Sequence, residues 1–167
     1  MLGRLDRGLS MAEDFFISVL LITASAILFV NVIGRYVFNY GFVWAEELVR
    51  YEIVWLVFVG GSVAARKGIH IGVEALVHLL PPSIQKLTSI AVLLVCVLFC
   101  AILVYFGWEL VSQTRIFDQR TPAMQVPFWL MQMAIPAGAM LMGLRFAQSL
   151  AVVMTGGAGR HEANIIN

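Results

Sequence analysis

The chain has 167 residues, 60% of them hydrophobic and 13% charged, with a formal net charge of +1 and a mean hydropathy of +0.89. That hydropathy lies far outside the range of soluble domains and puts the chain in the membrane class. No basic run is long enough to suggest nucleic acid.

The N-terminal stretch MLGRLDRGLSMAEDFF is basic and leads into a long apolar run. A secretory signal has an apolar core of about 7–15 residues followed by a small-residue cleavage site. Here the run is longer, and its Ala24-Ser25-Ala26 falls in the middle. It reads as an uncleaved first span over residues 15–37.

The second segment is less simple. The apolar run Ile53 to Ala65 covers only about 20 Å as a helix, too short to cross a bilayer. A second span over 43–66 therefore has to include WAEELVRYEIVW, with Glu46, Glu47, Arg50 and Glu52. Each charge near the membrane centre costs about 2.5–3.5 kcal/mol, so exposure to lipid is disfavoured. Glu46 and Glu47 precede Arg50 in the order that favours a helical ion pair. Glu52 lies about 200° around the helix from Arg50 and cannot pair with it. It needs another partner or must carry a proton. A tight hairpin around Gly41 would set Arg35 level with Glu47 and Asn31 level with Glu52, with Asn31, Arg35 and Asn39 forming one polar stripe. Three readings stay open for this cluster: an electrostatic clasp within a four-helix bundle, a proton or ion path, or a contact with another subunit.

The next stretch, RKGIHIGVEALVHLLPP, places His70, Glu74 and His78 on one helical face opposite Val73, Leu76, Val77 and Leu80. It reads as an amphipathic interfacial helix over 70–80 ended by Pro81-Pro82. The His-Glu-His spacing also permits a metal site, although it lacks the HExxH order of a zinc hydrolase. The polar face of an interfacial helix accounts for it without a metal.

A third span covers 87–111. Its Cys96 and Cys100 share a helical face, are poorly placed for a disulfide, and read as small buried apolar residues. A loop over 112–125 leads to a fourth span over 126–147 that contains Pro136 and Arg145. Pro136 predicts a kink, with its freed carbonyl satisfied by neighbours or water. Gly60 with Ala64, Gly61 with Ala65, and Ala139 with Gly143 are small-residue pairs suited to close helix packing.

With the N-terminus inside, Arg4, Arg7, Arg66, Lys67, Lys86, Arg145 and Arg160 lie inside, against Arg35, Arg115 and Arg120 outside. This bias predicts both termini in the cytoplasm. Trp44, Trp108 and Trp129 then fall at the outer interface as anchors. The expected fold is all-α: one integral membrane domain, residues 1–167, of four transmembrane helices plus a short amphipathic interfacial helix. Catalytic chemistry is poorly supported. All three histidines lie outside the spans, and no phosphate loop, cysteine cluster or nucleophile with a base is evident.

The segment NVIGRYVFN, then WAEELVRYEIVWLVFVGGSVAARKGIHIGVEALVHLLPP, then TPAMQVPFWLMQMAIPAGAMLMG resembles the small membrane subunit of tripartite ATP-independent periplasmic (TRAP) transporters. The resemblance covers about residues 31–145, in order; Glu52 departs from it, standing where a neutral residue is expected. It implies a bacterial or archaeal inner-membrane protein working with a large membrane subunit and, transiently, a periplasmic substrate-binding protein. The family imports organic acids on a sodium gradient. The small subunit is expected to be a non-catalytic part of the static scaffold against which the mobile domain moves elevator-fashion. By this resemblance Arg35, Trp44, Glu46, Glu47 and Arg50 are structural or subunit-contact residues. Residues 39–42 and 113–125 are candidates for touching the binding protein. No cofactor is implied, and phospholipid is compatible with the subunit interfaces. Two readings of other classes remain: a stand-alone proton-coupled carrier using Glu52, and a membrane enzyme with a metal at His70 and His78.

Overall fold

The computed structural model describes residues 2–66 and 82–154, with side chains for 8–66 and 84–154. The expected interfacial helix, with His70, Glu74 and His78, lies outside the described residues. All regular elements described are helical: α1 (Leu2–Val37), α2 (Val43–Arg66), α3 (Pro82–Ile116), a single turn α4 (Trp129–Gln132), and α5 (Ala134–Met154). Four stretches are long and apolar enough to cross a membrane: Gly8–Val37, Val43–Arg66, Ile84–Ile116 and Trp129–Met154.

Helix α1 is one continuous rod of 36 residues because no proline or helix-interior glycine pair interrupts it. It begins well before the expected span, so Glu13 and Asp14 are part of the helix. Likewise α3 continues to Ile116, into what the sequence suggests is loop. The fourth span is interrupted at one residue, Met133, which keeps helical dihedrals (φ −57°, ψ −23°). Pro136 has no N–H to offer the Gln132 carbonyl, and its ring crowds that carbonyl. The regular ladder stops at Met133, between α4 and α5, while Met133 N–H still bonds Trp129 O (3.0 Å) and Ala137 N–H bonds Met133 O (3.1 Å).

The helices do not close into a four-helix bundle. Helix α1 packs on α2, α2 on α5, and α5 on α3, with no comparable packing of α1 on α3 among the described residues. The result is a row ordered α1, α2, α5, α3. Burial follows this order: the most apolar window of α3 is only 6% buried within the chain and that of α1 11%, against 22% for α2 and the fourth span.

Two close crossings set the row. At the α2–α5 joint a Cβ on Gly138 would lie 2.5 Å from Phe58 Cβ and 2.7 Å from its carbonyl carbon, so only glycine lets these backbones approach. At the α3–α5 joint Gly107 faces Ile135 and Pro136, 3.1 Å from where its Cβ would be. Farther along, Ala65, Cys100 and Phe146 form a small buried core with Leu93, Cys96, Val97 and Met142 against it. The cysteines are free, Cys100 buried and Cys96 half-buried. Of the small-residue positions, Ala139 is fully buried and Gly143 meets Cys100.

Candidate functional site

Polar side chains gather at the two ends of the helices, the hairpin end and the terminal end. The hairpin end is built by the α1–α2 connection. Phe38 and Tyr40 both donate their N–H to Gly34 O (3.1 and 3.0 Å), and Asn39 adopts φ 52°, a left-handed conformation that asparagine tolerates. The Tyr40 carbonyl comes so close that a Cβ on Gly34 would lie 2.9 Å from it. Asn31, 6% exposed, accepts the Phe42 N–H on Oδ1 at 2.8 Å. Within NVIGRYVFN, Asn31 and Gly34 therefore serve the turn.

The acidic residues of α2 have separate partners. Glu46 lies 3.7 Å from Arg35, with both side chains more than half exposed, a weak pair. Glu47 reaches across to the loop ahead of α4. Its Oε2 accepts the N–H of Ala123 (3.0 Å) and Met124 (2.8 Å), and its Oε1 accepts the Tyr51 hydroxyl (2.6 Å). That loop is tied further by Thr121, 1% exposed, whose Oγ1 accepts the Val126 N–H at 3.1 Å. An isolated antiparallel bridge joins Arg120 and Pro127.

Arg50 does not join Glu46 or Glu47 as its spacing suggests. It is exposed and makes no hydrogen bond or ion pair among the described residues. Glu52 is level with Thr23 rather than Asn31. The Thr23 hydroxyl lies 2.9 Å from Glu52 Oε1, and Glu52 Oε2 is buried without a partner. Trp44 and Trp108 are exposed at 46% and 59%. The half-buried Trp129 carries the Arg115 guanidinium 5.7 Å from its ring centroid. All three tryptophans stand toward the hairpin end.

The opposite, terminal end holds a cluster that the spacing did not single out. Glu13 of α1 and Arg145 of α5 form an ion pair at 3.0 Å, each side chain 3% exposed. The Ser62 hydroxyl of α2 donates to Glu13 Oε1 at 2.8 Å, and Arg145 also reaches Ser10 at 3.3 Å. Beside it Arg66 holds Asp14 through both carboxylate oxygens at 2.8 and 3.0 Å. Three helices are thus pinned by one buried pair. The available signal was a lone arginine inside the last apolar run and the Glu13-Asp14 pair just ahead of the first.

No group of three or more metal-ligating side chains occurs among the described residues. Four apolar spans, with Glu13 and Arg145 at a helix joint and Glu47 at a loop clamp, define a multi-pass membrane protein. A family profile described as "Tripartite ATP-independent periplasmic transporters, DctQ component" matches residues 24–156, and the chain belongs to this family. It is 27% identical to the C4-dicarboxylate TRAP transporter small permease protein DctQ of Vibrio cholerae, over 90% of this chain and 76% of that one. To the protein of the same name from Rhodobacter capsulatus it is 28% identical, over 97% and 83%. It is also 28% identical to the sialic acid TRAP transporter permease protein SiaT of Haemophilus influenzae, over 82% of this chain but only 22% of that much longer one. The family is a transporter component of the inner membrane.

Proposed function

We propose that this chain is the non-catalytic small subunit of a TRAP transporter, paired with a large permease protein and serving as part of its static scaffold. The system would take up an organic acid delivered by a periplasmic binding protein, driven by sodium. Both termini would lie in the cytoplasm, so that the hairpin end faces the periplasm. The family match over residues 24–156 carries this reading. Relatives in which the matching segment is a small part of a much longer permease chain support the pairing. The rigid hairpin at residues 39–42 and the Glu47-clamped loop offer an ordered surface for the binding protein.

The decisive experiment is purification of the tagged chain in mild detergent together with its membrane partners, followed by uptake in proteoliposomes. The large permease protein should co-purify, and uptake should require both. Solute movement by the 167-residue chain alone would overturn the proposal. A stand-alone proton-coupled carrier is the second reading, favoured by the buried, unpartnered Oε2 of Glu52. Glu52→Gln separates the two: the scaffold retains uptake, whereas the carrier loses it while staying assembled.

A further inference from the structure

Helix α2 sits between two neighbours and still has a free face. Glu52 and Ser62 turn toward α1, while Phe58 and Gly61 turn toward α5. Arg50, Ile53, Val57 and Gly60, alternately three and four apart, form a stripe turned to neither neighbour. Ile53 and Val57 are 49% and 59% exposed, and nothing lies within 4 Å of where a Cβ on Gly60 would be.

Lipid needs only an apolar surface, and this stripe is not simply that. Arg50 lies about 10 Å along the helix from Val43. None of the nearby acidic groups pairs with it: Glu52 turns to Thr23 of α1, Glu46 lies beside Arg35, and Glu47 holds the loop amides. A guanidinium facing hydrocarbon is costly, and intramembrane cations are normally found against an acceptor on another helix. Toward the terminal end, the open space over Gly60 lets a neighbouring backbone come close. At the hairpin end the stripe approaches an open cleft of about 450 Å³ lined by Arg35, Asn39, Val43 and Glu46. A cation in need of an acceptor and a hollow in need of a knob, on one straight line, fit a helix better than mobile acyl chains.

We propose that this face of α2 is the seat of one transmembrane helix of the large permease protein. That helix presents a carboxylate or free carbonyl to Arg50 and seats a bulky apolar side chain over Gly60. The assignment rests on the pairing proposed above and names the surface that performs it.

The test uses membranes of cells making the whole transporter. A photo-crosslinking residue replacing Val57 should yield an adduct with the large permease protein. Gly60→Leu should lower the co-purified large protein at least tenfold, while the unfolding midpoint of the isolated chain stays at the wild-type value, because that leucine meets open space within the chain. Adducts at Val57 confined to phospholipid, or a Gly60→Leu chain that co-purifies like wild type, overturn the assignment. If the wild-type chain itself brings down no large permease, the pairing fails instead, which is a separate result.

Discussion

The Glu13–Arg145 pair provides the sharpest test of what holds the row together. At 3.0 Å and with both side chains 3% exposed, each charge has been taken from water, and the return depends on the other being there. Removing one partner from a buried pair costs about 3–5 kcal/mol, because it strands the remaining charge. Replacing both by apolar groups of similar volume is often neutral or stabilising. Glu13→Leu and Arg145→Met should therefore each destabilise by about 3–5 kcal/mol, a hundredfold or more in the unfolding equilibrium. The double variant should return to within about 1 kcal/mol of wild type. The Ser62 hydroxyl, which donates to Glu13 Oε1, loses one acceptor in the double variant and limits full recovery. The assay is equilibrium unfolding of the purified chain in mixed micelles with rising dodecyl sulfate, followed by helical circular dichroism. Additive losses in the double variant, or single losses below about 1 kcal/mol, would refute the claim that this pair clamps α1, α2 and α5.

Two further outcomes follow from specific contacts. Gly138→Ala should cost about 1–3 kcal/mol in the same titration, because its Cβ would sit 2.5 Å from Phe58 Cβ and the α2–α5 backbones must part; an unchanged midpoint would contradict the close crossing. Glu47→Ala should speed amide exchange at Ala123 and Met124 by roughly tenfold or more, since each loses a bond to an ionised acceptor worth about 1.5–3 kcal/mol; unchanged protection at both amides would mean that the loop holds without the carboxylate.

The helices were legible because length and apolar content alone specify spans, and the hairpin because the connection over 39–42 is short; of the expected polar stripe, Asn31 and Arg35 lie on α1, whereas Asn39 falls past its end at Val37 and turns left-handed. The partners were not. An Arg50 pair with Glu46 or Glu47 along one helix is worth only about 0.2–0.5 kcal/mol. Two loop N–H groups donating to one ionised carboxylate outweigh it, and they lie far away in sequence at Ala123 and Met124. Register slipped for a similar reason. The turn closed on Gly34 and the left-handed Asn39 seat Asn31 against Phe42 and Thr23 against Glu52, two helical turns before Asn31. Glu13 reads as a charge ahead of the first span and Arg145 as an inner-side cation of the last, with no spacing in sequence to relate them. Only the packing order shows that they meet.

That packing order also constrains how the molecule is made. In chain order α3 follows α2, yet in space it touches neither α1 nor α2 to any comparable extent and leans on α5. As the polypeptide emerges from its N-terminus, α1 and α2 can pair at once as a hairpin. Helix α3 enters the bilayer with no resident neighbour and stays a solitary span until the last helix arrives. Helix α5 then slots between α2 and α3, closing both joints through Gly138 and Gly107. The final span is thus the keystone: a ribosome stalled before residue 129 would leave a hairpin and an orphan helix, two pieces for membrane quality control to find.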